Sequence, residues 1–73
     1  MADFYYTVRD FVKNKNLTPL SSLGEKNMRN AGRTMNKHDD SSIDEAVEKF
    51  LSERDYRMKL GKHDIEELKK MLK

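Results

Sequence analysis

Ser41-Ser42-Ile43-Asp44-Glu45-Ala46-Val47-Glu48-Lys49-Phe50-Leu51 carries the clearest helix start in the chain. Two capping boxes overlap at its head, Ser41 with Asp44 and Ser42 with Glu45, and each offers side-chain oxygens to amide groups that lack partners in a first turn. Ile43, Ala46, Val47, Phe50 and Leu51 recur every three or four residues, so at 3.6 residues per turn they form one apolar stripe. Asp44, Glu45 and Glu48 lie toward the end where the helix dipole favours negative charge. Such a helix cannot bury its stripe alone, so the flanking sequence has to supply a partner.

Upstream of it, Asn36-Lys37-His38-Asp39-Asp40 reads as a loop, and before that loop lies the most asymmetric segment of the chain. Lys26, Arg29, Arg33 and Lys37 are spaced by three, four and four, which puts them on one side of a helix; Leu20, Leu23, Met28, Ala31 and Met35 fall on the other. Two starts are open for this helix, Thr18-Pro19 with proline at the first helical position and Ser22-Leu23-Gly24-Glu25 as a capping box. Its end is expected near Met35 or Lys37. Gly24 and Gly32 each cost about 1 kcal/mol relative to alanine in a helix interior, so two shorter pieces are an alternative to one rod over residues 22–37.

Farther out, Phe4, Val8, Phe11 and Val12 form a stripe with Tyr5 at its edge, which predicts a helix from Asp3 to Lys15. The run from Asn14 to Pro19 ends it. On the other side Gly61 acts as a stop, and Asp64-Ile65-Glu66-Glu67 opens a last helix that buries Ile65, Leu68 and Leu72 and ends in Lys69, Lys70 and Lys73. No apolar alternation and no hairpin signal is present, so strands are not expected. The reading is all-α: one domain over residues 1–73, a compact bundle of four or five short helices. Its predicted core is Phe4, Val8, Phe11, Leu23, Met28, Val47, Phe50, Leu51, Ile65 and Leu68.

Composition bounds what such a bundle can do. A chain of 73 residues hides only about 60% of its unfolded surface, so one thin core is expected. Hydrophobic residues make up 36% and charged residues 38%, but the apolar positions are periodic where a disordered chain would scatter them. There is no cysteine, hence no disulfide framework and no thiolate chemistry. Asp3, Arg9 and Asp10 interrupt the N-terminal pattern, which argues against a signal peptide or membrane span and toward a cytoplasmic protein. Net charge is +2, yet residues 1–37 carry seven Lys/Arg against three Asp/Glu and residues 38–73 carry eight against ten. Opposed basic and acidic faces follow, which steer encounters without defining a fold.

Catalysis is not expected. The glycines are isolated, no serine elbow is recognisable, and a core this small leaves little room for a pocket. His38-Asp39-Asp40 and His63-Asp64 hold metal-capable groups in separate segments, without the spacing of a closed coordination shell. No metal or other cofactor is expected. Tyr5, Tyr6 and Tyr56 are better placed for the core or its boundary than for stacking bases, and Met28 and Met35 read as core filler.

Asp3-Phe4-Tyr5-Tyr6, Lys37-His38-Asp39-Asp40 before the capped helix, Phe50-Leu51 within it, and Asp55-Tyr56 leading through Leu60-Gly61 to Asp64-Ile65 together resemble the small YozE-like proteins of Gram-positive bacteria and their phages. The resemblance spans most of the chain. It implies a sterile-alpha-motif-like bundle; Asn36 stands where that family usually has proline, and Ser41-Ser42 where it has an acidic-aromatic pair. The family's role is uncharacterised, so the resemblance implies fold more than function.

The functional expectation is a small interaction module acting through charged helix faces on a macromolecular partner, protein ranked above nucleic acid, with no membrane involved. The competing expectation is DNA binding through Lys26, Arg29, Arg33 and Lys37, with Asn27, Asn30 and Asn36 adding hydrogen bonds. A solvated helix face is the plain alternative for the same four cations, and head-to-tail self-association between opposed charged faces is a third outcome.

Overall fold

The computed structural model describes residues 4–73, and every regular element among them is helical: α1 (Phe4–Asn14), α2 (Ser22–Thr34), α3 (Asp40–Leu51), α4 (Tyr56–Lys59) and α5 (Lys62–Leu72). Asp3, the expected first residue of α1, lies outside the described residues. α2 packs between α1 and α3, α5 closes the ring between the same two helices on the other side, and α4 is a single turn carried by α3. The stripes seen in sequence meet inside that ring.

Phe4, Tyr5, Val8, Phe11 and Val12 are the buried face of α1. Its end is set by Asn16, which takes the left-handed conformation at φ 56°. The Leu17 N–H then donates back to the Val12 carbonyl at 3.0 Å and the Asn16 N–H to the Lys13 carbonyl at 3.2 Å, the paired bonds of a Schellman motif with asparagine in the usual glycine position. This turn sends residues 17–20 back along α1 as an extended connection.

α2 begins at Ser22, the second of the two expected starts, but its cap is one residue earlier than the expected box. Ser21 is the cap, its Oγ accepting the Gly24 N–H at 3.0 Å. The helix runs unbroken through Gly32, where a Cβ would sit only 3.0 Å from the Cβ of Phe4, so this glycine permits α1 and α2 to approach closely. It stops at Thr34, with Met35 extended at ψ 134°. Lys37 therefore lies beyond the helix, in the following turn.

Leu23 corrects the expected core, being 68% exposed. The face that packs is Gly24, Met28 and Ala31, with Met35 partly buried beyond them, and Leu23 sits about 100° around the helix from it. Ile65 is only partly buried against the core, whereas Ile43, Tyr56, Leu60 and Leu72 belong fully to it.

All five predicted apolar residues of α3 are buried. Its cap is Asp39, whose carboxylate accepts the Ser41 N–H at 3.0 Å, in place of the two serine boxes. A carboxylate at this end gains from the helix dipole as well as from the hydrogen bond. Ser42 is thereby released to close the loop, its Oγ accepting the Asn36 N–H at 2.9 Å and lying within 2.9 Å of the carbonyls of Asn36 and Asp39.

Arg54 and Asp55 are both left-handed, at φ 49° and 62°, and turn the chain sharply into α4. Tyr56 then enters the core completely, stacked on Phe50 with ring centroids 4.6 Å apart, while Phe50 meets Phe11 edge-on at 6.3 Å. Such pairs add about 0.5–1.5 kcal/mol each beyond the area they bury. Burial holds the Tyr56 phenol above its ordinary range, so it stays protonated, and its hydroxyl donates to the Thr18 carbonyl in the α1–α2 connection. α5 begins at Lys62, three residues into which Asp64 accepts the Gly61 N–H at 3.3 Å.

Candidate interaction face

The spacing of Lys26, Arg29 and Arg33 on α2 leaves all three side chains exposed on the face opposite Met28 and Ala31. Lys37 is exposed as well, displaced from their line by the end of the helix. Arg29 stands over the ring of Tyr5 with its guanidinium carbon 4.1 Å from the centroid, and Tyr6 meets Tyr5 edge-on at 5.2 Å. A guanidinium over an aromatic face is held by the ring quadrupole and keeps its edges available for oxygen acceptors. Among the described residues none of the four cations takes part in an ion pair.

Four other cations are engaged, while Arg9, Lys13, Lys49, Arg54, Lys59, Lys62 and Lys70 make no ion pair among the described residues. Lys15 lies between Asp64 at 3.0 Å and Glu67 at 2.9 Å, Lys69 reaches Asp44 at 3.0 Å, Lys73 reaches Asp40 at 3.5 Å, and Arg57 pairs with Glu48. Hydrogen bonds to Glu67 and then Asp64 raise the pKa of the Lys15 ammonium, while Lys15, followed by the Gly61 amide, lowers that of the Asp64 carboxyl. These pairs tie α5 to α1 and α3, and α4 to α3.

The asparagines proposed as helpers are divided. Asn27 donates to Glu53 at 3.1 Å, fastening α2 to the α3–α4 turn, and Asn36 is part of the loop closed by Ser42; Asn30 is exposed on α2. Tyr56 is in the core, whereas Tyr6 is 52% exposed beside the Arg29–Tyr5 pair. His38 and His63 remain on separate segments, and among the described residues no three metal-capable side chains converge.

A feature not foreseen from the sequence lies next to the basic face. The connection between α1 and α2 folds back to leave a groove of about 490 Å³. Tyr5, Val12, Leu17, Pro19 and Leu20 line its floor, and Arg9, Lys13, Asn16 and Glu25 border it. Tyr5 is shared, one ring contributing to the groove and carrying Arg29. The sequence signal was Leu17 and Leu20 on either side of a proline; Leu17 was read as part of a helix stop and Leu20 as part of the apolar face of α2, which begins only at Ser22.

No family model, no curated protein and no solved structure matches this chain.

Proposed function

We propose that the protein is a small non-catalytic interaction module, cytoplasmic and built on a sterile-alpha-motif-like bundle similar to that of the YozE-like proteins, which docks an acidic protein partner through the basic face of α2. The observation that carries this reading is the row of exposed cations along one helix, with the Arg29 guanidinium fixed over the Tyr5 ring. Lys26, Arg29, Arg33 and Lys37 are exposed and outside any ion pair among the described residues, although carboxylates engage cations on the other helices of the same small surface. Cations left open on one rigid helix attract an acidic surface and fix its register.

Affinity capture from a lysate of the native host, comparing wild type with an Arg29→Gln/Arg33→Gln variant at low and high salt, tests it. A specific protein retained by wild type and lost from the variant is the expected result. Recovery of no protein that depends on these two arginines sinks the reading.

DNA binding is the second reading, favoured by the alignment of three cations along one rod with an exposed tyrosine beside them. It predicts saturable binding of a labelled duplex whose dependence on salt flattens by about one unit of log–log slope for each phosphate contact removed. A duplex that binds no better to wild type than to the double variant excludes it.

A further inference from the structure

We infer that the groove between α1 and the 17–20 connection receives a short amphipathic segment of the partner, with aliphatic side chains seated on Val12, Leu17 and Leu20 and carboxylates on Arg9 and Lys13. This deepens the reading above and rests on its acidic protein partner. The groove's volume, about 490 Å³, falls within the range of about 300–1,000 Å³ typical of ligand sites. Among the described residues, the Tyr5 phenol is the one buried side chain of its lining that carries a polar atom. What it offers is an apolar floor with cations at the edge, which matches an amphipathic helix laid into a hydrophobic groove.

Charge selects the sign of the occupant. Two cations, Arg9 and Lys13, border the groove against one carboxylate, Glu25, and Arg29 stands over the Tyr5 ring that forms part of the floor. The shape is set before any ligand arrives. Leu17 is bonded to Val12 at one end of the connection, Ser21 caps α2 at the other, and the Tyr56 hydroxyl holds Thr18 between them. Preorganisation of this kind lowers the ordering cost of binding. The exposed large hydrophobic side chains among the described residues, Tyr6, Leu23, Met58 and Met71, stand on four different helices, and such scattered exposure is ordinary.

Fluorescence anisotropy with a labelled peptide of about 12 residues tests this directly, with leucines at i, i+3, i+4 and i+7 and glutamates between them. One control peptide has serine for leucine, and another has glutamine for glutamate. Wild type is expected to prefer the leucine peptide over the serine peptide by at least about tenfold, and the glutamate peptide over the glutamine one. Leu20→Gln, at a partly exposed position, should remove the leucine preference while circular dichroism stays unchanged. The Arg9→Gln/Lys13→Gln variant, at exposed positions, should reduce the glutamate preference and retain the leucine preference. Lys26→Gln/Arg33→Gln should keep the leucine preference whatever its overall affinity, because neither residue lines the groove.

The inference is overturned if wild type shows no saturable binding, if leucine and serine peptides bind alike, or if Leu20→Gln leaves the preference intact. Capture that depends on Arg29 and Arg33 but ignores Leu20→Gln would remove the groove and leave the basic-face reading standing. The reverse pattern would remove the basic face and leave the groove.

Discussion

α2 and α5 both carry cations on their outer faces, and their surroundings give those cations different work. On α5, Lys69 and Lys73 reach carboxylates of α3, and Asp64 and Glu67 receive Lys15 from the end of α1, so charge stitches neighbouring helices together. On α2, Lys26, Arg29 and Arg33 are exposed and make no ion pair among the described residues, with Arg29 resting over the Tyr5 ring of α1. Lys69 and Lys73 thus align α5 with α3, while Lys62 and Lys70, like the cations of α2, make no ion pair among the described residues. Counting lysines and arginines would not separate the two; only their neighbours do.

The contrast predicts that stability and binding respond to different substitutions. The largest effect belongs to Tyr56, which joins α3 to the α1–α2 connection. Tyr56→Ala should cost about 3–5 kcal/mol in a urea melt, because it empties a core site against Phe50. A loss below about 1 kcal/mol would mean that this ring does not anchor the core. Next comes Lys26→Gln/Arg33→Gln, expected to weaken the captured partner at least about tenfold, or about 1.4 kcal/mol, while the thermal midpoint stays within the scatter of ordinary surface changes. A lowered midpoint with unchanged partner affinity would reverse the roles assigned to the two faces.

Tyr56→Phe keeps the ring and removes only its bond to Thr18, so about 1 kcal/mol should be lost. Amide chemical shifts should move most at residues 17–20 in the same variant. Shifts spread evenly over the chain would show that the hydroxyl does not shape the connection. Lys69→Gln/Lys73→Gln should cost less, about 0–1 kcal/mol for two exposed pairs, with partner affinity unchanged.

The smallest effect is the pH response of Asp64. Folding lowers its carboxyl pKa, so its contribution is present above the unfolded-state value and fades as pH falls through the folded one. Acid melts should therefore show Asp64→Asn losing less stability than wild type across that interval. Parallel curves would show that Lys15 and the Gly61 amide do not favour the charged form.

Much of the architecture was legible because α1, α3 and α5 repeat apolar residues at the helical period, and the α3 stripe is buried throughout. α2 was read less well for a physical reason. Its packing face includes Gly24, a buried position that carries no hydrophobic signal, so the eye is drawn to Leu23, which faces solvent. Asp39, Ser41 and Ser42 compete for one cap, and which wins depends on the loop bonds that Ser42 makes with Asn36. The basic face was visible as spacing, but its open state was not, since ion pairing depends on helices distant in sequence. α4 escaped separation from its surroundings because one turn has no period of its own. It exists through the left-handed pair before it and the stacking of Tyr56.

The groove lay furthest from view, because its wall is held by a bond between residues 18 and 56. That separation has a consequence during synthesis. The two helices that flank the cleft are translated before the tether that gives their connection its shape, because Tyr56 follows both of them in the chain. A chain ending before Tyr56 would present Leu17 and Leu20 on a connection without that tether. The cleft therefore takes its shape only after the chain has been made past Tyr56, well beyond the residues that line it.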